Sequence, residues 1–157
     1  MKMCSMKSIV LFFLISMFFM ACNQDVVFDK NQKIPEGLWH KDSLFNFQVE
    51  INDTIPRYDI FIHIRNTTEY PYSNFYFFVN THFPDGRLFR DTVECALAQP
   101  DGTWNGEGFG KIKSNTFLYR TGVLFPQKGI YEFSFEHGMR VDEISDITDV
   151  GIKIEKQ

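Results

Sequence analysis

The sequence predicts an all-β fold, an antiparallel β-sandwich of jelly-roll or immunoglobulin-like type with about eight strands. Three observations carry this. Apolar and polar residues alternate along Tyr58 to Arg65, turn residues such as Pro84-Asp85-Gly86 and Gln99-Pro100-Asp101-Gly102 punctuate the chain at short intervals, and no long amphipathic helical pattern occurs. Period two over that length places one strand face in a core and the other toward solvent.

Taken in order, Leu44 to Ile51 is a near-alternating strand and Tyr58 to Ile64 a clean one. Asn74 to Thr81 carries the uninterrupted run Phe75 to Val79, which predicts a central strand covered on both faces. Leu88 to Leu97 follows the first turn. Trp104 to Ile112, with Gly106, Gly108 and Gly110 on alternate positions, reads as a strand whose bare face accepts a close neighbour or a bulge. Phe117 to Phe125, Gly129 to His137 and Asp149 to Glu155 complete the set. The one helical candidate is short and lies near residues 139–147, where Val141, Ile144 and Ile147 recur every three.

The amino terminus predicts an exported, lipid-anchored protein. Lys2 and Lys7 precede the apolar run Ile9 to Met20, which ends in Ala21-Cys22, the pattern of a bacterial lipoprotein signal with Cys22 as the lipidated residue. The stretch Ser8 to Ala21 is shorter than the roughly 20 residues of a membrane span. Two or three acyl chains anchor a protein stably, so the chain is expected to sit on a membrane through Cys22. Residues 1–21 are thus read as signal, 22–36 as lipidated terminus and polar tether, and 37–157 as a single domain beginning near Trp39.

Beyond the signal, 14 basic residues face 20 acidic ones, a formal charge of −6. That balance argues against nucleic acid as a partner and against a polybasic membrane contact. With Cys4 in the signal and Cys22 in the anchor, Cys95 has no partner for an intramolecular disulfide, and a buried strand position is expected for it.

Catalytic and metal signals are weak. His40, His63, His82 and His137 are isolated in sequence and lack zinc spacing, with His63 and His82 expected on outward strand faces. Asp101-Gly102-Thr103 and Asn105-Gly106-Glu107-Gly108 cluster oxygens without the spacing of a calcium loop. Gly106 to Gly110 lacks the Lys-Ser/Thr and helix of a phosphate cradle, and no Gly-X-Ser-X-Gly elbow is present. The expectation is a protein that is not an enzyme and that needs no metal or cofactor.

Two further patterns bear on binding and modification. Aromatics make up 17% of the chain, enough to offer Trp39, Tyr70, Tyr72 and Trp104 as sugar-stacking rings if they face solvent, or as closing residues of the core if they do not. Asp42-Ser43-Leu44, Asp53-Thr54-Ile55 and Asp91-Thr92-Val93 each resemble the O-glycosylation acceptor pattern of exported Bacteroidetes proteins, which makes Ser43, Thr54 and Thr92 candidates; each also suits a turn aspartate before a strand.

Longer words of the sequence resemble the gliding-motility lipoprotein GldH family of Bacteroidetes. They are Trp39 with Lys41-Asp42, Tyr58 to Asn66, Tyr70-Pro71-Tyr72-Ser73-Asn74 leading into Phe75 to Val79, and Asp91 to Glu94 with Leu97-Ala98. Gly102 to Gly108, Gly129-Ile130-Tyr131 to Met139-Arg140, and Asp149-Val150-Gly151 continue the match. The resemblance implies a small all-β envelope lipoprotein needed for gliding, linked to the type IX secretion apparatus and partnered by other envelope lipoproteins or by secretion proteins. It implies no catalytic residues, and the family extends to bacteria that do not glide. The rival expectation is a glycan-binding surface lipoprotein. The short acidic content of Asn23-Gln24-Asp25 favours the periplasmic side of the outer membrane over the cell surface.

For a protein partner, the connection from Arg65 to Asn74 is the first candidate, because Arg65, Asn66, Tyr70, Tyr72 and Asn74 gather hydrogen-bonding and aromatic groups around Pro71. Trp104 with Met139 and Arg140 is the second.

Overall fold

The computed structural model describes residues 26–157, so the signal segment and Cys22 lie outside the described residues. Ten strands run as β1 Val26–Lys33, β2 Leu38–His40, β3 Phe45–Ile51, β4 Tyr58–Thr67, β5 Asn74–His82, β6 Leu88–Ala96, β7 Ile112–Val123, β8 Gly129–His137, β9 Glu143–Ser145 and β10 Ile147–Lys156. Two four-stranded antiparallel sheets, in the orders β1-β10-β4-β7 and β3-β8-β5-β6, form a β-sandwich. A two-stranded ribbon of β2 and β9 closes one end. Among the described residues no helix is long and apolar enough to cross a membrane.

The alternation read from sequence is the alternation of burial. In β3 every second residue is buried, and in β4 Tyr58, Ile60, Ile62 and Ile64 enter the core. They meet Val150, Ile152 and Ile154 of β10 beside them, and Phe75, Phe77, Val79, Tyr131, Phe133 and Phe135 of the other sheet join the same core. Ring pairs such as Phe77–Phe135 at 5.5 Å and Phe125–Tyr131 at 4.8 Å add directional contacts to the burial. Cys95 is a free, fully buried strand residue, and burial pushes its thiol pKa up to about 12.

The structure corrects four expectations. Residues 22–36 were expected to be tether throughout, but Val26 to Lys33 form β1, paired antiparallel with β10 from Val26↔Glu155 to Lys33↔Asp149. The proposed helix near 139–147 is absent: Glu143–Ser145 is strand, β10 starts at Ile147, and Asp146 reverses the chain at φ 66°. Trp104 to Ile112 is irregular, joined to its neighbours by the single bridges Ala98↔Trp104 and Glu107↔Ser114. Gly108 and Gly110 there have φ of 135° and 71°, which a strand does not tolerate, and the next strand begins at Ile112. Finally, β5 is an interior strand but is covered on one face only, so Asn74, Tyr76 and Phe78 are half-buried on the outer face.

His137 is 2% exposed, packs edge-on to Trp39 at 6.1 Å, and has no hydrogen-bond partner for either ring nitrogen among the described residues. Burial lowers its pKa from the ordinary value. Above about pH 6.5 the ring is neutral in folded and unfolded chains alike. As pH falls below that value the unfolded chain takes up a proton that the folded state resists, so stability is lost on acidification, by at most about 1.4 kcal/mol per pH unit for one site. His63, whose pKa burial also lowers, acts in the same direction. Urea titrations between pH 7.5 and 5 are expected to show this slope, and His137→Phe to reduce it; an unchanged slope in the variant contradicts the assignment.

Candidate functional site

All strand registers place the chain reversals at two ends. Val26, the β3–β4 and β7–β8 connections and the β5–β6 turn share one end with the carboxyl terminus. The longer segments 68–73, 97–111 and 138–146 share the other, together with β2 and β9. The candidate site is built at this second end.

The turn into β5 is fixed from below. Tyr70 is buried, and its hydroxyl donates to the Asn74 carbonyl at 2.9 Å. The Ser73 carbonyl accepts both the Leu97 and Ala98 amides, at 2.8 and 2.9 Å. Burial holds the Tyr70 phenol far above its usual pKa, so it stays a donor. Tyr72 meets Tyr70 edge to face at 5.7 Å and stands 40% exposed.

Above that support the outer face of β5 and β6 carries a polar ledge. The Asn74 side-chain amide donates to Glu94 at 2.9 Å, and that bond with one from Tyr76 holds the Glu94 carboxyl below its usual range. Thr92, two residues along β6, is exposed beside it.

The opposite wall forms where β8 leaves the sheet. The Gly138 amide donates to the Tyr76 carbonyl at 2.7 Å as the last rung, and a Cβ on Gly138 would lie 3.2 Å from the Phe78 ring, tighter than side chains ordinarily pack. The Tyr76 amide then donates to the Met139 sulfur at 3.3 Å instead of to a strand carbonyl. Arg140 and Val141 swing into solvent, and the segment is pinned again by the Lys41 to Asp142 bond at 2.7 Å and by β9.

These elements enclose a concavity of about 510 Å³ lined by Tyr72, Asn74, Tyr76, Thr92 and Gly138 to Val141. Aromatic rings, a thioether and a guanidinium beside a fixed carboxylate make it suited to a protein segment that offers both apolar and hydrogen-bonding groups.

The structure therefore brings together Tyr72, Asn74, Met139 and Arg140, which the sequence offered as two separate candidates. It does not bring in the rest. Arg65 lies on the outer face of the other sheet, where its Nε donates to Ser114 at 3.2 Å. Asn66 is fully buried and accepts the Asn115 amide at 3.0 Å, a bond internal to the fold. Tyr70 supports the site from beneath, and Trp104 is half-buried against the core. Tyr76 and Glu94 were missed by sequence reading because only the β5–β6 register places them together here, and Val141 because it enters on the segment that leaves β8. Phe109, in the glycine-rich segment at the same end, is fully exposed and does not line the groove.

The sugar-binding alternative needed a solvent-facing row of Trp39, Tyr72 and Trp104. Trp39 is fully buried, with its indole N–H donating to the Ser43 carbonyl at 3.0 Å, so no such row forms. The Asp101 carboxylate is engaged by the Thr103 amide at 2.9 Å, a turn bond, and among the described residues no three His, Cys, Asp or Glu side chains gather as a metal site. Ser43 and Thr92 are exposed and Thr54 half-buried.

Comparison with known proteins agrees with the words read from the sequence. The family described as GldH lipoprotein matches residues 26–154. The gliding motility lipoprotein GldH homolog of Christiangramia forsetii is 38% identical over 156 residues, covering 95% of each chain. Gliding motility lipoprotein GldH of Flavobacterium johnsoniae is 33% identical over 144 residues, covering 87% of this chain and 89% of that one. Among solved structures, dimeric latent PorU from Porphyromonas gingivalis aligns with 85% of this chain and 13% of its own at a TM-score of 0.34 and 8% identity, a likeness too slight to bear on fold or function. On the family match and the two full-length relatives, the chain belongs to the GldH lipoprotein family.

Proposed function

We propose that this protein is a non-catalytic, lipid-anchored envelope component of the gliding machinery and its associated type IX secretion apparatus, which presents a docking groove to a protein partner. The observation that carries the docking role is the groove of Tyr72, Asn74, Tyr76, Met139 and Arg140 at the end of the sandwich opposite Val26. Lipidation at Cys22 fixes the Val26 end to the membrane. β4 spans ten residues, or roughly 30 Å from end to end, so the groove is held well clear of the lipid. The partner is another envelope lipoprotein or a secretion protein, and the outer membrane facing the periplasm is the proposed location. The weakly acidic Asn23-Gln24-Asp25 favours that side. Thr92, on the groove wall, and Ser43 and Thr54 elsewhere remain proposed O-glycosylation acceptors, for which intact mass of the native protein is the test; a mass showing the lipid increment alone rejects them.

Deletion of the gene in a gliding host, with complementation, tests the functional reading. The intact gene is expected to restore colony spreading and secretion. Cys22→Ser and the pair Tyr72→Ala with Arg140→Glu are both expected to fail while the protein accumulates. Full rescue by the groove pair overturns the docking role, and normal spreading and secretion in the deletion strain overturn the functional assignment.

A further inference from the structure

The end of the sandwich that carries Val26 has a surface that the docking groove does not use. Ile55 in the β3–β4 connection is 88% exposed, Leu124 in the β7–β8 connection 53%, Leu88 at the start of β6 59% and Ile130 at the start of β8 57%. Scattered apolar residues on a surface need no explanation, but these share one end of one domain. The connections holding them touch or are tied to adjacent strands: Gly129 packs on Pro84, Arg57 donates to the Gly122 carbonyl at 3.1 Å, and Lys156 lies 3.6 Å from Asp53. Each of the three connections also sets an apolar residue directly before a proline, as Ile55-Pro56, Phe83-Pro84 and Phe125-Pro126. Proline fixes the backbone there, so little freedom is lost when these tips are immobilised against a partner.

The length of chain between this end and the anchor decides what that partner is. Three residues lie between Cys22 and Val26, and the four fully extended steps from one to the other reach about 14 Å. With Cys22 lipidated, as the proposed function holds, no point of β1's start can stand farther than that from the bilayer surface. The exposed tips at the same end are thereby held within reach of the lipid headgroups, where an apolar side chain gains by leaving water. Of the basic groups at this end, Arg87 is paired with Asp85 at 2.7 Å and Lys156 with Asp53, whereas Arg57 donates to the Gly122 carbonyl and Lys128 is exposed, so any charge contact with headgroups there adds to the apolar one.

We infer that Ile55, Leu88, Leu124 and Ile130 form a second, non-covalent membrane contact that seats the sandwich end-on upon the bilayer. This contact rests on the reading of Cys22 as the lipid anchor. It fixes orientation, so the groove at the far end points away from the membrane.

The test uses lipidated full-length protein purified from membranes and reconstituted into vesicles of phosphatidylethanolamine and phosphatidylglycerol, after intact mass has established lipid on Cys22. An environment-sensitive fluorophore is attached at single cysteines replacing Ile55 or Leu124, and in parallel at Leu44 or Phe109 of the far end. Emission from positions 55 and 124 is expected to shift to the blue and to be quenched several-fold by lipid-borne quenchers, with neither change at 44 and 109. Ile55→Ser combined with Leu124→Ser, read from a fluorophore at position 130, is expected to lose most of the shift while the protein stays anchored. A mass without lipid overturns the anchor and this contact together. Lipidated protein whose probes at 55 and 124 are as water-exposed as those at 44 and 109 overturns the contact alone.

Discussion

Trp39→Ala is expected to be the most destabilising single change in the domain, by about 3–5 kcal/mol, the range for emptying a large aromatic site in a core. Trp39 is fully buried, stacks edge to face on Phe45 at 4.8 Å and lies 5.6 Å from Phe75. Its backbone pairs with Ile144 in the β2–β9 ribbon, so this one side chain ties the ribbon to the core. The same ribbon receives the chain after Arg140 and Val141, which links a packing defect at Trp39 to the shape of the groove. Urea unfolding measures the loss, and since domains of this size hold only about 5–15 kcal/mol in all, roughly a fifth or more of the stability is at stake. Trp39→Phe, which keeps most of the apolar contact, is expected to fall between the two. A cost below about 1 kcal/mol for the alanine variant would show that the ribbon is peripheral to the core.

Gly151→Val is expected to cost about 1–3 kcal/mol through overpacking, and to do so locally. A Cβ at Gly151 would collide with the Asn31 side-chain oxygen and lie 2.7 Å from the Lys30 carbonyl. The side chain of Asn31 can turn away, but the carbonyl belongs to the β1 backbone and moves only if β1 does. Hydrogen exchange should therefore report loss of protection in residues 26–33 and retention of protection in β3, β5 and β8. If β1 were a mere extension of the tether, the substitution would leave both stability and exchange unchanged. Its effect bears on function as well, because releasing β1 adds eight residues of slack between the lipid and the sandwich.

The contrast between β1 and β4 shows what the sequence made legible. β3, β4 and β8 were found because one face of each enters the core, which writes period two into the sequence. β1, Val-Val-Phe-Asp-Lys-Asn-Gln-Lys, is an edge strand with a bulge between Val26 and Phe28; its pairing depends on the β10 backbone and leaves little apolar pattern. β2 and β9 are three residues each, too short for any period. The three-residue recurrence of Val141, Ile144 and Ile147 misled for a related reason. Ile144 and Ile147 are indeed buried, but on two strands separated by the positive φ at Asp146, a conformation aspartate tolerates without advertising.

The groove was half legible in the same sense. Tyr72 with Asn74, and Met139 with Arg140, were each recognisable as residue types that bind proteins, but 65 positions of sequence separate Asn74 from Met139, and only the register Phe77↔His137 makes them neighbours. Misreading β5 as covered on both faces concealed the ledge of Tyr76 and Glu94. An aromatic run gives no sign of which ring faces out until its neighbours are known. Arg65 and Asn66 were drawn in by sequence proximity to Tyr70, whereas the turn between them carries the chain from one sheet to the other.

The groove far from the lipid anchor is proposed to hold a protein partner in the envelope. Site-specific photo-crosslinking in living cells tests it most directly, with the photoreactive residue placed at Tyr72 or Val141 in the groove and, for comparison, at Leu118, which is exposed on the outer face of the other sheet. One discrete higher-mass adduct is expected from both groove positions, containing an envelope or secretion protein and absent from Leu118. Adducts of equal strength from all three positions, or none from the groove in cells that glide and secrete normally, would contradict it.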